Sequence, residues 1–134
     1  MPYLLDTNVV TQLLKRTPRV VESYRHALEQ GEQVYLSAVV YYEVKRGLLH
    51  LGAAKQLRQL DEDFRNVLRW APVSDAAWDQ AAYFWAECRR QGKPHDDDGD
   101  LLIAAQAHLL GVALVTWNTR DFIDFQISTE NWEN

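Results

Sequence analysis

The sequence predicts a single α/β domain with a mainly parallel central sheet and helices on both faces. Three observations predict it. Short apolar runs alternate with segments of helical spacing along the whole chain, as expected of strands paired in parallel through helical crossovers. The length, 134 residues, is that of one domain and buries a core without staples. No repeat, linker or low-complexity segment interrupts the chain, so residues 1–134 read as one unit.

The elements follow in order. Tyr3-Leu4-Leu5 is a short apolar run that reads as a buried strand. Thr7 is placed to cap a helix running through Val9 and Val10 to Leu13 and Leu14. Thr17-Pro18 is a second start, a cap followed by proline at the first helical position, and that helix should end near Gly31. Val34-Tyr35-Leu36 is the second strand. Ser37 then caps a long helix to about Leu51, which Gly52 stops. Leu57, Leu60, Phe64 and Val67 or Leu68 keep helical spacing. The stretch from Val67 to Val73 should hold a short strand. Ser74-Asp75 opens another helix, with Trp78, Ala82, Trp85 and Arg89 on one face. Gln91 to Pro94 is a turn. A helix from about Asp98 to Leu110 ends at Gly111, and Val112 to Thr116 is the clearest buried strand. The tail from Asp124 onward is a candidate edge strand.

Composition narrows the setting. The chain is 47% apolar and 25% charged, which is ordinary for a globular protein. Its one cysteine, Cys88, excludes an intrachain disulfide and fits a reducing compartment. No apolar run is long enough to cross a bilayer, and the start lacks the basic region of a secretion signal. The expectation is a soluble, cytoplasmic protein without a membrane partner. The formal net charge of −5 is the wrong sign for a nucleic-acid binder. The acids are concentrated, however, with Asp96, Asp97, Asp98 and Asp100 in one short stretch. Two divalent cations bound among them would offset most of that charge.

Four carboxylates stand where packing alone does not call for them. Asp6 directly follows the first strand, and ligands of open α/β sheets collect beyond the carboxyl ends of strands. Taken alone, Asp6 reads better as an N-cap or turn acid. Glu43 lies about 60° from Val40 and about 40° from Gly47 around its helix, at the edge of the apolar face. A lone carboxylate there is costly unless paired, and an ion pair with Lys45 or Arg46 is an equal reading. Asp100 shares a face with Ile103, Ala104 and Ala107, although an acid in a helix's first turn is also favoured by the macrodipole. Asp96, Asp97 and Asp98 fit a solvated run better, while Asp98 stays in reach of a metal beside Asp100. Asp121 follows the clearest strand, where Thr116 and Asn118 offer further oxygens; a polar turn explains it equally. A parallel sheet would bring all four to one end, and such like charges raise one another's pKa. A hard divalent cation resolves that repulsion, and magnesium needs few protein oxygens because it keeps several waters. Two ions about 4 Å apart could orient a water and stabilise the leaving oxygen of a phosphodiester.

At this point the residues resemble a known family. Leu4-Leu5-Asp6-Thr7-Asn8 resembles the opening of a PIN domain. Glu43, within Ser37 to Glu43, is similar to that family's second acid. Asp98-Gly99-Asp100-Leu101-Leu102-Ile103-Ala104-Ala105 resembles its third motif, and Leu114 to Phe122 its fourth. The four motifs span nearly the whole chain. Within the family the chain resembles the VapC-type toxins of bacterial toxin–antitoxin pairs. The resemblance implies a Mg2+- or Mn2+-dependent endoribonuclease, a homodimer, and a VapB-type antitoxin whose C-terminal segment blocks the active site. It carries over Asp6, Glu43, Asp100 and Asp121 as the acidic quartet, and Asn118 beside them. The acid-rich Asp97-Asp98 pair departs from the usual pattern and leaves Asp98, with or without Asp100, as the third metal ligand.

The reaction this implies is hydrolysis of an RNA phosphodiester by an in-line water, leaving a 5′-phosphate and a 3′-hydroxyl, since no paired histidines offer the 2′-hydroxyl route. Thr116, Asn118 and Arg120 are candidate substrate contacts. Lys15-Arg16 and Lys45-Arg46 are further phosphate candidates, and each of these cations also reads as solvated surface charge. Other chemistries fit poorly. His26, His50, His95 and His108 lack zinc spacing. A serine-nucleophile elbow, a Walker loop and a dinucleotide glycine fingerprint are missing. An aspartyl phosphotransferase would place a second Asp where Asn8 stands. The rival from another class is a non-catalytic binding or assembly module whose acids pair with a partner's arginines. Tyr41, Tyr42, Trp78, Tyr83 and Trp85 would then offer a hydrophobic groove or a dimer surface, although core packing is the simpler expectation for most of them; Tyr41 and Tyr42 cannot both face inward.

Overall fold

In the computed structural model, which describes residues 1–133, five parallel strands form one sheet in the order β3-β2-β1-β4-β5. The strands are β1 (Tyr3–Leu5), β2 (Val34–Ser37), β3 (Arg69–Ala71), β4 (Ala113–Val115) and β5 (Ser128–Glu130). The helices are α1 (Thr7–Leu14), α2 (Pro18–Glu29), α3 (Ala38–Leu51), α4 (Ala54–Gln59), α5 (Asp75–Arg90) and α6 (Asp98–Leu110). A π-helical turn, Leu60–Arg65, follows α4, and a 3-10 turn, Thr119–Phe122, follows β4. The chain steps outward from β1 to β3, then returns across the sheet to β4. With right-handed crossovers this reversal puts α1–α4 and α5–α6 on opposite faces.

Central strands buried on both faces must be apolar throughout. Leu4, Leu5, Leu36, Leu114 and Val115 are fully buried, which explains why these runs are continuous rather than alternating. Pairing is in register at Leu5↔Val115 and Ser37↔Ala71. The core continues through Val9, Val10, Val40, Ile103 and Ala104 from the helices. A buried polar tie crosses the layers. The Ser37 hydroxyl donates to Gln106 Oε1 at 2.5 Å, and Gln106 Nε2 donates to the carbonyls of Ala71 and Pro72.

Several expectations are adjusted. Asp6, not Thr7, caps α1, its side chain accepting from the Thr7 amide; Thr7 is the first helical residue. The helix expected across Leu57 to Leu68 forms as α4 running directly into the π-helical turn and ends at Arg65; Leu60, Phe64 and Leu68 are buried while Val67 is exposed. On α5 the buried face is Ala77, Ala81, Phe84 and Cys88, so the stripe of Trp78, Ala82, Trp85 and Arg89 points to solvent. Of the five aromatics expected mostly in the core, only Tyr41 is buried; Tyr42, Trp78, Tyr83 and Trp85 are exposed. A helical stripe has the same periodicity whichever way it faces, and the small residues of α5 won the inward side because they let it lie close to α6. The edge strand expected in the tail is β5, and no helix among the described residues is long and apolar enough to cross a membrane.

Candidate active site

Strand order places the site. Consecutive connections leave β1 and β4 in opposite directions, which opens a crevice beyond their carboxyl ends. The Leu5↔Val115 register sets the next residues, Asp6 and Thr116, side by side. The Asp6 amide donates to the Val115 carbonyl at 2.9 Å. Asp6 as a residue is 6% exposed. Oδ1 accepts from the Thr7 amide at 2.7 Å and Oδ2 from the Thr116 hydroxyl at 2.8 Å. Burial pushes the Asp6 carboxyl up; the Thr116 and Thr7 hydrogen bonds oppose this, and the charges of Glu43 and Asp97 add to it.

The remaining acids arrive on separate elements. Glu43, on α3, accepts from the Thr7 hydroxyl at 2.7 Å, so one residue of α1 ties two acids together through its amide and its hydroxyl. Arg46 reaches only 4.0 Å from Glu43 and is well exposed, a weak pair. Asp100 lies in the first turn of α6. Burial pushes its carboxyl up to about 7, reinforced in order by the charges of Asp97, Asp6, Asp121 and Glu43. Asp121, in the 3-10 turn, is exposed. Asp6, Glu43 and Asp121 are thus each brought within electrostatic reach of Asp100 from separate elements.

Asp97 and Asp98 are both exposed, as their solvated reading expects, but they stand differently toward Asp100. Asp98 is exposed and lines a groove with Tyr42, Trp78 and Leu102. Asp97, read from sequence as solvated, is the first-ranked charge on Asp100 and caps α6 by accepting from the Asp100 amide at 3.1 Å. The Asp97-x-x-Asp100 spacing is the signal that could have found it, an N-cap acid aimed at the third helical residue. Gly99 lies between these groups. A Cβ there would stand 2.9 Å from Glu43 Oε2 and 3.1 Å from Asp97 Oδ1, so the two carboxylates close over a residue without a side chain.

Of the candidate substrate contacts, Thr116 is fully buried; its hydroxyl donates to Asp6 and accepts from the Asn118 amide, which sets it behind Asp6. Asn118 and Arg120 are exposed beside Asp121. Asn8, unassigned from sequence, accepts from the Trp117 amide at 3.4 Å and holds the chain leaving β4. His95 meets Asp124 at 3.1 Å and Lys93 meets it at 3.6 Å, tying the loop before α6 to the segment after the 3-10 turn; no sequence spacing announces that tie.

Among the described residues no group of three or more His, Cys, Asp or Glu side chains is placed close enough to hold a metal ion as it stands. The chemistry of the donors nonetheless suits a hard cation: the groups that converge on Asp100 are carboxylate oxygens, and their charges repel its own. A PIN-domain family model matches residues 3–127. The chain belongs to the PIN-domain family. Among relatives of this PIN domain, ribonuclease VapC2 of Haemophilus influenzae is 30% identical over 136 residues, covering 98% of each chain. The tRNA(fMet)-specific endonuclease VapC of Shigella flexneri is 29% identical over 133 residues, again covering 98% of each. Among solved structures, a chain of the DNA-bound VapBC complex of Salmonella typhimurium superposes with a TM-score of 0.84 at 25% identity, over 98% of both chains. The expected α/β architecture is therefore that of a PIN domain.

Proposed function

We propose that this PIN domain is a divalent-cation-dependent endoribonuclease, the toxin of a toxin–antitoxin pair that inhibits translation by cutting RNA. The observation that carries the reading is the convergence of Asp6, Glu43, Asp100 and Asp121 beyond the carboxyl ends of β1 and β4, in a chain whose relatives are named VapC ribonucleases. A Mg2+ or Mn2+ held there would make water more acidic and offset negative charge on the scissile phosphate.

The chain's own residues do the positioning. Thr7 and Thr116 each donate to Asp6 and fix its carboxylate at the crevice floor, and Thr7 also holds Glu43. Such partners behind a ligand set its orientation. Asp100, its carboxyl pushed up to about 7 by burial, would have to be deprotonated to hold a cation, so cation uptake would be coupled to proton release. Exposed Asn118 and Arg120 flank Asp121 and can hold a substrate phosphate. Asp98 joins the ligand set only if its side chain turns from the groove. A VapB-type antitoxin and a homodimer complete the reading, the first supported by VapBC complexes among the structural neighbours.

The test is sequencing of RNA ends after a brief induced pulse in cells, against Asp6→Asn. New 5′-phosphate ends only with the native chain are expected, and purified protein should lose cleavage in EDTA. Equal cleavage by Asp6→Asn, or in EDTA, overturns the reading.

A further inference from the structure

Asp98 is an acid without a task. Asp96 pairs with Arg89 and Asp97 caps α6, whereas among the described residues the Asp98 carboxylate has neither a hydrogen bond nor an ion pair. It lines two adjoining hollows, of about 410 and 360 Å³, that together form one groove between α3, α5 and the start of α6. Leu102 forms part of the floor, and Trp78 is shared by both hollows. Trp78 is 56% exposed and Tyr42, on the α3 side, 60% exposed. The Arg46 guanidinium lies 5.1 Å from the centre of the Tyr42 ring. At its near end the groove is lined by Glu43 and Gly99, which also border the acid cluster.

Aromatic faces beside an arginine and an acceptor-only carboxylate, opening onto a phosphodiester-cutting crevice, match the needs of a splayed nucleotide. Single-stranded RNA is bound by stacking unpaired bases on aromatic rings and hydrogen-bonding their Watson–Crick edges. We propose that this groove holds one unpaired base of the RNA substrate, stacked on Trp78 and read by Asp98, and that the base selected is guanine. The proposal rests on the ribonuclease reading above. A carboxylate has two oxygens that only accept. Guanine alone presents two adjacent donors, N1–H and the 2-amino group, to such a pair. Uracil flanks its one N–H with carbonyls, and adenine and cytosine place a ring acceptor beside their amine. Arg46 then lies on the same side to meet a phosphate of that nucleotide. Continuity with the acid cluster and the concave, carboxylate-bearing floor favour a base over a second copy of the chain on this face.

The experiment measures binding of short fluorescent oligouridines, with or without one guanosine, to the full chain carrying Asp6→Asn. One guanosine should tighten binding about tenfold. Adding Asp98→Asn should erase that preference, and inosine, which lacks the 2-amino group, should lose part of it. Trp78→Ala should weaken binding of the guanosine oligomer about tenfold while Trp78→Phe retains it. Equal affinity for both oligomers overturns the proposal. So does a Trp78→Ala chain that binds RNA normally but sediments as a monomer where the parent is a dimer, since the face then joins two copies. Guanosine preference in a chain whose native form cuts no RNA would support the groove and sink the ribonuclease reading; cleavage with no guanosine preference in binding would do the reverse.

Discussion

At the scale of single residues, the crevice trades stability for readiness. Asp100 is held in a place that disfavours its charge, pushed up to about 7. Below that pH the folded chain keeps a proton that the unfolded chain has already lost above the ordinary carboxylate range. Stability of the cation-free protein should therefore fall as pH rises between about 4 and 7, then level off. Asp6, also raised, acts with the same sign. Asp124, lowered by its contact with His95, loses its contribution only at more acid pH and does not offset the trend. Thermal melts across this range should show the slope, and Asp100→Asn should flatten it. Thr116 offers a second test. Thr116→Val keeps a buried β-branched shape but removes the donor on Asp6 Oδ2. Loss of such a supporting bond costs about ten- to a hundredfold in cation affinity or activity, measurable by calorimetric titration with Mn2+. Unchanged affinity would show that Asp6 does not need its hydroxyl partner.

At the scale of elements, α6 carries the acids and the fold at once. Its N-cap Asp97 and its first-turn Asp100 belong to the crevice, while Leu101 to Ala107 are wholly in the core. Gly99 separates the two duties. Gly99→Ala should cost the fold little, since alanine favours a helix by up to about 1 kcal/mol over glycine and the atoms it meets are carboxylate ends that can swing. Those ends are Glu43 Oε2 and Asp97 Oδ1. Displacing them should cut activity roughly ten- to a hundredfold while the melting temperature holds or rises. A parallel fall in both would mean that the glycine serves packing instead.

At the scale of the whole molecule, the crevice exists only because two layers are locked across the sheet. Gln106 of α6 holds Ser37 at the end of β2 and the carbonyls of Ala71 and Pro72 at the end of β3. Gln106→Leu would leave buried polar groups without partners, at about 1–3 kcal/mol for each unsatisfied group. Urea denaturation should show a lower midpoint with an unchanged slope. Cation binding works in the opposite direction, since a ligand that binds only the folded chain stabilises it. Mn2+ should raise the melting temperature of the native chain and leave Asp100→Asn unmoved. A chain of net charge −5 gains further because a cation relieves self-repulsion within the acid crevice.

The sequence by itself determined the order of strands and helices, the cap at Ser37, the stops at Gly52 and Gly111, and the four acids that lie near the sheet's end. Those features are local: a fully apolar strand, a capping side chain or a left-handed glycine leaves its mark within a few residues. Only the tertiary structure decided which way each periodic face turned and which neighbour in an acidic run capped α6. The stripe of Trp78, Ala82, Trp85 and Arg89 and the pair Asp97-Asp98 have the same pattern facing core or solvent, crevice or groove. The choice was made by what lay opposite: Phe84 and Cys88 turned to the core on α5, and Asp97 was drawn to the free amide of Asp100. Contacts between residues far apart in sequence set those directions, and no periodicity records them.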